Sequence, residues 1–173
     1  MPKQRIFFMI KPDGMAMEGK IMSMVEPLAR IVASKAFDPA DMGRIERLYA
    51  MHRGAFFYER LLNFFRGRPI KVFILEERED YPYKKDFVED LVDLVGDTDP
   101  AKAKPGTIRS LSSDSIARSI AEERAVNNLV HRSRTKEEAE HEAAIFFEDA
   151  RVQPVETKAA QQGKPSRNCS CSR

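Results

Sequence analysis

Residues Arg5 to Lys11 read RIFFMIK, and Pro12 closes the run. A short apolar stretch rich in Phe and Ile, cut off by proline, predicts a central strand. Pro12-Asp13-Gly14 is then a turn. Lys11 falls at the carboxyl end of a buried strand, where an ammonium needs a partner. Two readings follow: an ion pair with Asp13, or an anionic ligand. Ile70 to Leu75 (IKVFIL) is the second clear strand, and Ile31 to Phe37 a weaker one.

Helical spacing fills the gaps between strands. Apolar residues recur from Gly19 to Ile31, from Asp41 (an N-cap) to about Arg53, and from about Phe56 to Phe65. Asp86 opens a helix that Gly96 closes, a further one is expected over Ser115–Ala125, and Thr135 with Glu138 forms a capping box for a helix to about Phe147. Asn127 to His131 reads as an irregular link between the last two helices. Glu76–Lys85 reads as a charged surface loop.

Composition enters as a bound. A chain of 173 residues, 42% hydrophobic and 32% charged, suits one globular domain, here expected over 1–150, with a basic, disordered tail over 151–173. The tail carries five cationic residues against Glu156, so the body is mildly acidic and nucleic-acid binding by its surface is not expected. No run suggests a membrane span and no leader pattern is evident, so the cytoplasm is the expected compartment. Cys169 and Cys171 lie in the tail, leaving the body without a disulfide.

Chemistry concentrates at His131. An imidazole with an ordinary pKa of about 6.5 is a capable nucleophile at neutral pH. Asn128 lies three residues before it. Glu142, on the following helix, can return to orient the ring. Thr98, Thr107 and Arg109, in a polar turn-rich stretch, offer donors to a phosphate chain.

Four segments stand in one order: Met9-Ile10-Lys11-Pro12-Asp13-Gly14; Tyr49 with Phe57; Gly96-Asp97-Thr98-Asp99-Pro100 followed by Pro105-Gly106-Thr107-Ile108-Arg109; and Asn128-Leu129-Val130-His131 with Glu142. In this order they resemble the nucleoside diphosphate kinase family across residues 4–148. The resemblance implies an α/β (α+β) ferredoxin-like sandwich, a four-stranded antiparallel sheet flanked by helices, here with extra helical insertions. It implies ping-pong transfer of a γ-phosphate from a nucleoside triphosphate to a nucleoside diphosphate through a phosphohistidine at His131. It gives Lys11, Thr98 and Arg109 to the phosphates, and Phe57 and Leu61 to the base. Asn128 goes to the ribose, Tyr49 supports the lysine and histidine, and Glu142 holds the histidine. Magnesium would bridge the phosphates, and the oligomer would be a homohexamer or homotetramer.

The chain departs from that pattern in places. Val92 stands where the family usually has an arginine, leaving Lys84, Lys85 or no residue in its place, and Arg132 stands where a glycine usually follows the histidine. Ser110-Leu111-Ser112 replaces Gly-Asp-Phe, and the segment from Arg109 to Asn128 is long. One lost charge-assisted donor costs about 1.5–3 kcal/mol. Activity with altered affinity is expected. The other reading is a catalytically weakened, kinase-like domain that binds nucleotide or a partner. Binding of nucleic acid by the tail is a third and weaker idea.

Overall fold

Strand β1 (Arg5–Ile10) is central because its two faces are both apolar. Ile6, Phe8 and Ile10 enter one core; Phe7 and Met9 enter the other, and all five are essentially inaccessible. The computed structural model describes residues 2–147. Around β1 the sheet runs β2-β3-β1-β4, with β2 Ala29–Phe37, β3 Ile70–Glu77 and β4 Val130–Arg132, and every pairing is antiparallel. This is the expected four-stranded antiparallel sheet, and the fold is the ferredoxin-like α/β sandwich.

Helices cover both faces. On one lie α1 (Glu18–Val25) and α4 (Phe87–Val95), which contribute Ile21, Val25, Phe87 and Leu91. On the other lie α2 (Met42–Leu48), α3 (Tyr58–Phe65) and α6 (Lys136–Phe147), which contribute Ile45, Phe65 and Phe146. A short α5 (Ile116–Ala121) occupies the long segment before β4. The N-caps act as predicted: Asp41 and Asp86 accept from the amides of Arg44 and Glu89, and Thr135 from that of Glu138.

Several expectations need correction. The helix predicted to reach Ile31 stops at Val25, because Pro27 has no amide to continue the ladder, and β2 begins at Ala29. The helix from Asp41 ends at Leu48 and passes into a 3-10 turn over Ala50–His52. The helix expected over Ser115–Ala125 ends at Ala121, and Glu123 turns the chain with φ of 52°. The link before the last helix is in part a strand: Met9 pairs with His131 and Phe8 with Arg132. Three residues carry too little alternation to announce β4; its partner β1 makes it a strand. The tail over 151–173 lies outside the described residues.

Helix α6 is held by aromatic packing. Phe146 stacks on Phe7 at 5.1 Å and meets the edge of Phe37 at 5.8 Å. Removing that ring leaves a cavity under the helix. Phe146→Ala is expected to lower unfolding free energy by about 3–5 kcal/mol in urea titration. A loss below about 1 kcal/mol would show that other contacts dock α6.

Candidate active site

The site begins where β1 ends. The turn after Lys11 grips the segment before β4 at one residue, Leu129. Lys11 donates its backbone amide to the Leu129 carbonyl at 2.9 Å. Asp13 Oδ2 accepts the Leu129 amide at 2.9 Å. Leu129 sits at φ of 69°, a conformation rare for a branched side chain, and these two bonds hold it there. Gly14 is required by the same closeness, since a Cβ there would lie 2.5 Å from the Leu129 carbonyl oxygen.

This grip sets Asn128 and His131 beside Lys11. Lys11 Nζ donates to Asn128 Oδ1 at 2.8 Å, and Asn128 Nδ2 donates to the Thr98 carbonyl at 3.1 Å. Of the two readings for Lys11, the ion pair with Asp13 does not form; Asn128 is the contact. The ammonium also lies 4.9 Å from the centre of the Phe64 ring. Burial pulls the Lys11 pKa down to about 8, opposed by the charge of Asp13 and reinforced by Arg109.

Arg109 is buried and braced on backbone. It donates to the carbonyls of Gly96 at 3.2 Å and Val130 at 3.1 Å, with Thr98 Oγ1 at 3.5 Å, while its Nε has no partner. Burial lowers its pKa to about 10, with the neighbouring charge of Arg132 the next cause. Gly96, at φ of 86°, permits this packing: a Cβ would meet Thr107 Oγ1 at 2.6 Å. Thr107 itself is turned away, donating to the Lys104 carbonyl.

His131 shares the face of β1 that carries Phe7 and Met9. Its ring lies edge-on to Tyr49 at 5.8 Å and tilted against Phe7 at 6.2 Å. Glu142, buried on α6, places Oε1 3.0 Å from His131 Nε2, and Nδ1 has no hydrogen-bond partner among the described residues. Burial, then the charge of Glu142, raises the Tyr49 phenol above its ordinary range, so it stays neutral at physiological pH.

Lys11, Tyr49, Phe57, Leu61, Thr98, Arg109, Asn128, His131 and Glu142 all line a single cleft of about 570 Å³. Ile116 and Ile120 of α5 also line it, with Phe56, Arg60 and Arg132. These were not singled out from sequence, apart from Arg132. The i, i+4 pair of isoleucines on so short a helix, with Ile120 half exposed, was the signal available. Lys84 and Lys85 do not reach the cleft; Lys85 instead lies near Asp93 and Glu89. Val92 is also absent from the lining.

Comparison with known proteins gives this cleft its context. The sequence model described as nucleoside diphosphate kinase matches residues 4–152. The chain belongs to the nucleoside diphosphate kinase family. The family's enzyme from Sulfurisphaera tokodaii is 34% identical over 148 residues, covering 84% of this chain and 90% of that protein. That from Ignicoccus hospitalis is 35% identical over 152 residues, covering 86% and 92%. Among solved structures, the Borrelia burgdorferi nucleoside-diphosphate kinase, a transition state mimic with bound vanadate and ADP, has a TM-score of 0.70. It is 26% identical and covers 85% of this chain and 88% of its own. The Pyrobaculum aerophilum NDP kinase, also at TM-score 0.70, is 27% identical and covers 84% and 96%.

The lowered pKa of Lys11 makes a pH prediction for this family's ligands. The ammonium form is lost in the free protein as pH rises through about 8. If Lys11 faces the phosphates, as expected from the sequence, ADP binding should take up a proton above pH 8 and weaken by up to about tenfold per pH unit. Calorimetry in two buffers of different ionisation enthalpy reads that uptake. No uptake at pH 8.5–9 would place the titration elsewhere.

Proposed function

We propose that this nucleoside diphosphate kinase transfers a γ-phosphate in two half-reactions through His131. The observation that carries this is the bond from Glu142 Oε1 to His131 Nε2 at 3.0 Å. With Nε2 as donor to the carboxylate, the ring's lone pair is on Nδ1, and the tautomer suits nucleophilic attack. Nδ1 attacks the γ-phosphorus of a nucleoside triphosphate. A P–N bond forms, the bond to the β–γ bridging oxygen breaks, and the diphosphate leaves with that electron pair. A terminal oxygen of the acceptor diphosphate then attacks the same phosphorus, and the P–N bond breaks back to the imidazole. Positive charge developing on the ring is balanced by Glu142.

The remaining residues position and neutralise. Lys11 and Arg109 supply cations in a desolvated setting, where they act more strongly than in water. Phe57 and Leu61 offer an apolar wall to the base, and stacking on a ring face tolerates any base. Asn128 reaches the ribose, and Thr98 the phosphates. Tyr49 packs against the imidazole and keeps its plane. Magnesium would be carried on the nucleotide. Bound there, the ion would neutralise phosphate charge.

The same reading places the enzyme in the cytoplasm as a homo-oligomer, hexamer or tetramer. Exposure of Ile31 and Val32 on the edge strand β2 supports self-association. Among the described residues no helix is long and apolar enough to cross a membrane. On this reading the kinase domain is assigned to 1–150.

Incubation with γ-labelled nucleoside triphosphate tests the mechanism. An acid-labile label should form and pass to an added nucleoside diphosphate. His131→Ala should take no label, and Glu142→Gln should slow transfer by about 10²-fold or more. Label that persists in His131→Ala would refute the phosphohistidine at this position.

A further inference from the structure

Arg132 is the residue of the cleft whose position has no structural explanation within the protein. It follows His131 on β4 and pairs opposite Phe8. Alternation therefore puts it on the other face of the strand from His131. β4 is the free edge of the sheet, so its long side chain still lines the cleft with His131 and Arg109. Its Nε is enclosed without a partner, and its guanidinium makes no hydrogen bond or ion pair among the described residues. A half-buried guanidinium left so is costly. Its surroundings add to the cost. Burial and the charge of Arg134 both lower its pKa, and Arg132 in turn lowers that of Arg109. Glu138 and Glu142 of α6 attract it, yet neither forms an ion pair with it. Glu138 instead accepts the Arg134 amide, and Glu142 Oε1 is occupied by His131.

The other arginines of the cleft are differently placed: Arg109 is braced on backbone carbonyls and Arg134 is exposed to solvent. Arg124 is committed to Asp114 at 2.6 and 2.9 Å and to Glu122 at 2.6 Å. Arg60 reaches toward Glu123 at 3.4 Å and covers Phe56. An anion facing both Arg109 and Arg132, beside the unengaged imidazole nitrogen, would relieve their repulsion and satisfy the enclosed Nε of each.

We propose that Arg132 is a phosphate-binding residue, which with Arg109 holds the terminal phosphates of the nucleotide next to His131. It supplies from the sheet edge a fork of donors that Val92, on α4, does not supply to the cleft. This inference rests on the reading of the cleft as the nucleotide site, but not on the phosphohistidine.

The test compares ADP with adenosine, which share base and ribose and differ in the phosphates. Calorimetric Kd values are measured for the wild-type chain, Arg132→Gln and Arg132→Lys. The Gln variant should bind ADP about tenfold or more weakly and adenosine unchanged, and the Lys variant should recover part of the loss. Retained adenosine binding also shows that the cleft is folded. If the Gln variant does not fold, Arg132→Gly carries the same expectation. An unchanged ADP Kd would overturn the proposal, as would an equal loss for ADP and adenosine, which marks Arg132 as wall packing. A shifted pH profile of His131 labelling with ADP affinity intact would also overturn it, since Arg132 would then act through Glu142. Should the wild-type chain bind ADP through Arg132 yet never label, the phosphohistidine reading falls and this one stands.

Discussion

The meeting of Lys11 with Asn128 and His131 depends on two hydrogen bonds that hold Leu129 in a left-handed conformation. The backbone of Lys11 and the carboxylate of Asp13 supply them. A leucine there costs of order 1–3 kcal/mol, and it persists because the surroundings over-determine it. The return on that strain is geometric. One residue before the kink, Asn128 meets the Lys11 ammonium; two residues after it, His131 enters register with Met9. Lys11 and the proposed nucleophile His131, 120 positions apart in the chain, are thus fixed to the same strand end rather than to separate loops.

The cleft stores electrostatic tension. Lys11 and Arg109 are both pulled below their ordinary pKa values, chiefly by burial, and Arg109 further by Arg132. Both are already largely desolvated in the free protein. On the proposed reading, phosphate therefore meets donors that need little reorganisation, which is the condition under which charge stabilisation is strongest. Glu142 is similarly placed in advance, buried on a helix whose docking is secured by Phe146.

Much of this was legible in the sequence, for reasons that differ by element. RIFFMIK and IKVFIL are buried on both faces, so their apolar runs are unbroken and short. Asp41, Asp86 and Thr135 act on amides three residues away, and local chemistry is readable locally. The nine expected site residues meet in one cleft because their motifs lie at strand ends and turns that the fold brings together. What was not legible is tertiary. Val130–Arg132 is a strand only because β1 lies beside it. Pro12-Asp13-Gly14 reads as a turn, and nothing near it in the chain reveals that Asp13 grips a residue 116 positions away. Helix α1 is shorter than its hydrophobic spacing predicts, because Pro27 stops it.

The segment around α5 has a different character. Asp114 binds Arg124 twice and also accepts the Asn127 amide, so the two ends of the stretch from 114 to 127 are tied together, and the Ile116 amide fastens it to Asp99. Its Ile116 and Ile120 face the cleft, while the residues proposed for phosphate transfer are anchored elsewhere. One wall of the cleft is therefore a self-locking cassette. On the proposed reading, side chains of this wall bear on which nucleosides fit, while His131 is carried by a different frame. Substrate preference and chemical competence would then be separable quantities in this chain.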